Sequence, residues 1–90
     1  MVTSDSDPLI NALAKVLRRH RHAAGLSQED LAFRAGRSMR YISLLESCRH
    51  QPTLQTLKRL CDGLEISLGS FVTEIEAEAK RIERQSPKSS

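Results

Sequence analysis

The residues best suited to chemistry in this chain lie in the stretch "SMRYISLLES", residues 38–47. On a helical wheel at about 100° per residue, Ile42 and Leu45 fall on one side, flanked by Tyr41 and Glu46. Arg40, Ser43, Leu44 and Ser47 fall on the other, with Met39 at the N-terminal edge. A solvated face in a basic region is expected to be rich in Lys and Glu. This one instead carries an arginine, two short hydroxyls and a leucine. That mixture suits the edges of base pairs in the DNA major groove, where Arg bonds guanine bidentately, Ser reaches a base or phosphate, and an apolar side chain meets a thymine methyl.

Other chemistries find little support in the residues. His20 and His22 are two apart and do not share a helix face, and Cys48 and Cys61 alone do not make a metal site. A reducing compartment argues against a structural disulfide between them. No Ser/His/Asp set, paired carboxylates or phosphate-cradling glycine loop stands out, so neither an enzyme, nor a cofactor, nor a small-molecule ligand is expected. With no Trp, one Tyr and two Phe, the chain lacks the aromatic faces of a single-strand stacking platform. No apolar run approaches the roughly 20 residues of a membrane span. The opening "MVTSDSDPLI" has no apolar signal region, and a cytoplasmic location, on the bacterial nucleoid, is expected.

The elements that must position the reading face are all helical. Residues 1–7 read as a disordered lead-in, and Pro8 fits a helix start. Leu9, Leu13, Val16, Leu17, His20 and Ala24 then recur at helical spacing until Gly25. Ser27 caps a second helix, with Asp30 completing a capping box and Gln28, Leu31, Ala32 and Ala35 facing inward. Gly36 supplies a left-handed turn residue without a Cβ penalty. Ser38 caps the third helix, Thr53 a fourth with Leu54, Leu57, Leu60, Cys61 and Leu64 on one face, and Ser67 a fifth to about Arg84. Residues 85–90 fray. No strand pattern or internal repeat is present.

Charge divides along the same line. From Lys15 to Arg49, eight Lys/Arg oppose three acids, a surplus of +5; from Asp62 to Arg84, six acids oppose three bases, giving −3. The first part suits a polyanion and the second does not.

Two short helices joined by a tight glycine turn form a helix-turn-helix. The stretch "LSQEDLAFRAGRSMRYISLLE" resembles the lambda-repressor/Cro-like, or XRE, family through Gln28, Ala32, Gly36, Ile42 and Leu45. "LRRHRHAAGLSQ" and "QPTLQTLKRLCDGLEISLGSF" extend the resemblance over residues 9 to about 72. It implies an all-α, compact five-helix lambda-repressor-like DNA-binding domain over residues 8–66. It also implies base reading by Met39, Arg40, Ser43 and Leu44, and phosphate contacts from Gln28, Arg37, Ser38, Ser47, Arg49 and His50. Gly36 is then structural, as are Arg21 and Glu46, which match a partly buried ion pair of some members. The sequence departs from the family pattern at Arg37, which either reaches phosphate or lies along the surface. It departs again at Cys48 and Glu65, where glycine is usual and a left-handed backbone would be strained. Phe33 points outward and is expected to be packed under a neighbour.

The C-terminal helix, residues 67–84, is longer than such a fold needs. Leu68, Val72, Ile75, Ala79 and Ile82 are spaced 4, 3, 4 and 3, with Phe71 broadening the seam. That is the seam of a short coiled coil, and a homodimer interface is expected there; folding back on its own domain is the alternative. The small size resembles phage repressors and restriction–modification controller proteins. The expected function is a sequence-specific transcriptional regulator that binds double-stranded DNA as a homodimer on a palindromic operator. An autoregulating antitoxin, a redox-responsive regulator and a protein-interaction adaptor that does not bind DNA are the rivals.

Overall fold

The computed structural model describes residues 7–85 as five helices. They are α1 Pro8–Ala23, α2 Gln28–Ala35, α3 Met39–Glu46, α4 Leu54–Leu64 and α5 Leu68–Gln85. Most of the lead-in and of the C-terminal tail lies outside the described residues. Two boundary residues correct the expectation of disorder. Asp7 caps α1 by accepting the Leu9 amide at 2.9 Å, ahead of Pro8 in the first turn, and Gln85 ends α5.

Each start has a local cause. Ser27 Oγ accepts the Asp30 amide at 2.9 Å while Asp30 Oδ2 accepts the Ser27 amide at 3.0 Å, a reciprocal capping box. Ser38, Thr53 and Ser67 accept the amides of Tyr41, Thr56 and Ser70 in the same way. Gly36 ends α2 at φ 70°, ψ 34°. Cys48 and Glu65 also adopt left-handed φ, 65° and 60°, and as non-glycine residues they carry the strain expected there.

The helices enclose one core in which Val16, Leu17, Leu31, Ile42, Leu45, Leu60, Cys61 and Phe71 are fully buried. Burial of each large aliphatic contributes roughly 1.5–3 kcal/mol. α2 packs on α3 and α4, α1 packs on α3, and α5 lies along α1. The α2–α4 approach depends on Gly63, because a Cβ there would stand 3.1 Å from Arg34 Cβ.

α5 folds onto its own chain. Phe71, Ile75 and Ala79 are buried against the core, and Leu68 and Ile82 pack at its edge. A row of ion pairs reinforces the contact: His20 Nε2 lies 3.0 Å from Glu74, Arg19 reaches Glu74 and Glu78 at 3.5 Å, and Lys15 stands 3.9 Å from Glu78. The seam expected to face a partner is therefore consumed inside the chain, apart from the exposed Val72. Two first-turn residues also depart from expectation: Leu9 is 52% and Leu54 69% exposed. No helix among the described residues is long and apolar enough to cross a membrane.

Candidate nucleic-acid interface

The helix-turn-helix is held in register by one buried carboxylate. Arg21 on α1 donates through Nε to Glu46 Oε2 at 2.6 Å and through Nη2 to Glu46 Oε1 at 2.9 Å. Its Nη1 donates to the Leu26 carbonyl at 2.9 Å. Gln28 Nε2, from the first turn of α2, donates to Glu46 Oε1 at 3.0 Å, and Arg18 Nη1 donates to the Glu46 backbone carbonyl at 2.9 Å. Three helices thus converge on the last residue of α3. Burial by itself would raise the Glu46 pKa, but the bonds from Arg21 and Gln28 and the charges of Arg21 and Arg18 together hold it below the ordinary carboxylate range. The bond to Glu46 outweighs burial for Arg21 and raises its pKa.

With its inner face fixed by Ile42, Leu45 and Glu46, α3 presents Met39, Arg40 and Ser43 to solvent, with Leu44 half-buried beside them. The side chains of Arg40 and Arg49 bond no other described residue, so both guanidiniums are available. The other expected contact residues are more committed. Arg37 donates to the Gly36 carbonyl at 3.0 Å and to Thr56 Oγ1 at 2.9 Å, and its guanidinium stands 5.9 Å from the Tyr41 ring centroid. Ser38 is occupied as a cap, and Ser47 Oγ donates to the Ser43 carbonyl at 2.9 Å. Gln28, expected to hold phosphate, turns its amide nitrogen inward onto Glu46. His50 is exposed and meets the Tyr41 ring edge-on with centroids 4.9 Å apart, which ties the loop after α3 to the recognition face.

The pattern of ion pairing separates the two sides of the molecule. Lys15, Arg19 and Arg81 meet Glu74 or Glu78 around α5, and Lys58 takes Asp62. Arg37, Arg40, Arg49 and Arg59, on or near α3 and α4, face no carboxylate within 4 Å among the described residues. Sequence reasoning missed Arg59, whose Nη1 would stand 3.3 Å from a Cβ on Gly36. It also gave Arg34 no role, whereas Arg34 Nη1 donates to the Gly63 carbonyl at 2.9 Å and fastens α2 to the end of α4. The pairing of Arg34 with a glycine on another helix has no local signal in the sequence. Phe33 is 87% exposed and is not covered by any neighbour, contrary to expectation.

Residues 12–69 match a family of helix-turn-helix domains. The chain belongs to that family. This helix-turn-helix protein is 42% identical over 55 residues to an uncharacterized HTH-type transcriptional regulator, y4dJ, of Sinorhizobium fredii, a match spanning 61% of this chain and 71% of the relative. Among solved structures it is similar to the clp gene regulator ClgR from Corynebacterium glutamicum, with 27% identity, a TM-score of 0.81, and coverage of 86% of this chain and 82% of that one. It is also similar to the restriction-modification controller protein C.Esp1396I, solved as a tetramer in complex with its natural 35 base-pair operator. That likeness has 30% identity, a TM-score of 0.73, and coverage of 79% and 93%. The five-helix, lambda-repressor-like fold expected from the sequence is the fold of these proteins.

Proposed function

We propose that this helix-turn-helix protein regulates transcription by binding double-stranded DNA in a sequence-specific manner, as a homodimer on a palindromic operator. One observation carries the reading. Among the described residues, Arg37, Arg40, Arg49 and Arg59 around α3 have no carboxylate partner, whereas Arg19 and Arg81 meet Glu74 or Glu78 on α5, and Arg40 stands free at the start of a face that also offers Met39, Ser43 and Leu44. Arg40 reads a base edge, Arg49 and the α2 N-terminus hold phosphates, and Glu46 fixes the angle at which α3 enters the groove. The relative described as a transcriptional regulator and the controller protein bound to its operator support the same assignment.

The homodimer uses a surface that shares only Val72 and Ile75 with the α5 seam. Leu9 and Val72 are exposed and line an apolar groove of about 210 Å³ together with Ile10, Leu13, Pro52 and Leu57, and the exposed Leu54 follows Pro52 by two residues. No charged residue lines it, and it adjoins the loop carrying Arg49 and His50. In such a dimer, two recognition helices about 34 Å apart match one turn of DNA. Selection of random duplexes by the protein tests the reading. Enrichment of an inverted repeat with half-sites about 10 base pairs apart is expected; no enrichment over the starting pool contradicts it. Leu54→Asp together with Val72→Asp makes the protein monomeric in sedimentation analysis; a variant that remains dimeric refutes this interface.

A further inference from the structure

We infer that Arg59 and Arg37 form a phosphate clamp beside the turn of the helix-turn-helix, although Arg59 lies outside the motif on α4. The inference rests on the DNA-binding reading above and names a further contact to the same partner. Both guanidiniums lie against Gly36. Arg37 donates to its carbonyl, and Arg59 Nη1 occupies the space a side chain at Gly36 would need, 3.3 Å from the Cβ position. Glycine at this position therefore serves two ends: it takes φ 70° and leaves room for a second cation.

Neither charge is neutralised among the described residues. The Arg37 side chain bonds only neutral oxygens, those of Gly36 and Thr56, and the Arg59 side chain bonds no other described residue. Asp62, one turn beyond Arg59, is taken by Lys58 at 2.6 Å. Two cations held against one residue without an acid repel each other, and an anion placed between them removes that cost. Arg37 is pinned for the task. Thr56 is buried, its hydroxyl accepts from both Arg37 and Thr53, and its amide caps onto Thr53. The site immediately precedes Ser38 and Arg40, so the anion is the DNA phosphate flanking the groove that α3 enters. Such a contact adds affinity without sequence preference.

The test compares wild type, Arg59→Gln, and Arg81→Gln as a control whose arginine pairs with Glu78 on α5. Affinity for a duplex recovered by selection and for a scrambled duplex is measured by fluorescence anisotropy from 50 to 200 mM salt. Arg59→Gln is expected to reduce the slope of log affinity against log salt by about 0.9 for each protomer bound. Its loss of affinity is then about 3.5-fold larger per protomer at 50 mM than at 200 mM, and equal on the two duplexes. Arg81→Gln leaves the slope unchanged. An unchanged slope in Arg59→Gln, the same reduction in Arg81→Gln, or a loss confined to the selected duplex overturns the clamp. A wild-type affinity independent of salt would overturn the DNA-binding reading itself, and the clamp with it.

Discussion

Replacing Glu46 by Gln keeps the volume and one oxygen of the side chain but removes the charge on which three helices converge. The Glu46 and Arg21 side chains are only 4% and 10% exposed, so the arginine left behind can recover little hydration. The new amide also turns a donor toward groups that are themselves donors: Arg21 Nε on one side, Arg21 Nη2 and Gln28 Nε2 on the other. Removing one partner of such a buried pair costs about 3–5 kcal/mol. A chain of 90 residues has a total stability of roughly 4–13 kcal/mol at the usual per-residue values. The variant thus loses a large share of its stability, and at about 4–8 °C per kcal/mol its melting temperature falls by at least about 12 °C. Thermal unfolding followed by circular dichroism at neutral pH reads this directly. A fall of less than about 5 °C would refute the hub.

The same pair has a definite pH dependence. The Glu46 pKa is depressed in the folded state, so its contribution is complete above the unfolded carboxylate value of about 4.3 and is lost as pH falls through the lower folded value. The difference in stability between wild type and Glu46→Gln therefore narrows below about pH 4. A difference that stays constant through that range would show that the charge is not its source.

Three further outcomes follow from the geometry. Glu65→Gly relieves the left-handed backbone at φ 60° and raises stability by about 1 kcal/mol; a lower melting temperature would contradict the strain. Gly63→Ala gains about 1 kcal/mol of helix propensity but forces a methyl 3.1 Å from Arg34 Cβ, an overpacking cost of about 1–3 kcal/mol. The melting temperature is expected to fall, and a rise would show that α2 and α4 separate freely. Burial, with the Asp62 charge, pushes the Cys61 thiol up to about 11, so a thiol reagent at neutral pH labels Cys48 in the native protein and Cys61 only on unfolding. Prompt release of two equivalents by native protein would contradict the burial of Cys61.

The helices, their caps and the turn at Gly36 were legible in the sequence because each rests on local rules: a hydroxyl before an apolar period, a glycine after it. The outward face of α3 was legible for the same reason, since eight residues of helix fix which side chains share a side. What α5 packs against was not. A spacing of 4 and 3 describes an apolar stripe equally well whether its partner is α1 or a second chain. The acids that settle it, Glu74 and Glu78, match Lys15, Arg19 and His20 only once the chain is folded. Leu9 and Leu54 were placed inward by period alone, which does not show how far a neighbouring element reaches. Arg37 illustrates a different gap. The sequence shows its charge, but not that Thr56, 19 residues on, holds its guanidinium in place.

The central claim is that α3 reads bases through Arg40, and Arg40→Ala measured on two duplexes tests it most directly. On the duplex recovered by selection, the variant is expected to lose about 1–3 kcal/mol, or roughly 5- to 150-fold in affinity, and to relax its preference at one base pair in each half-site. On a scrambled duplex of the same length it loses far less. An equal loss on both would show that Arg40 holds only phosphate, and would contradict the assignment of α3 as the reading helix.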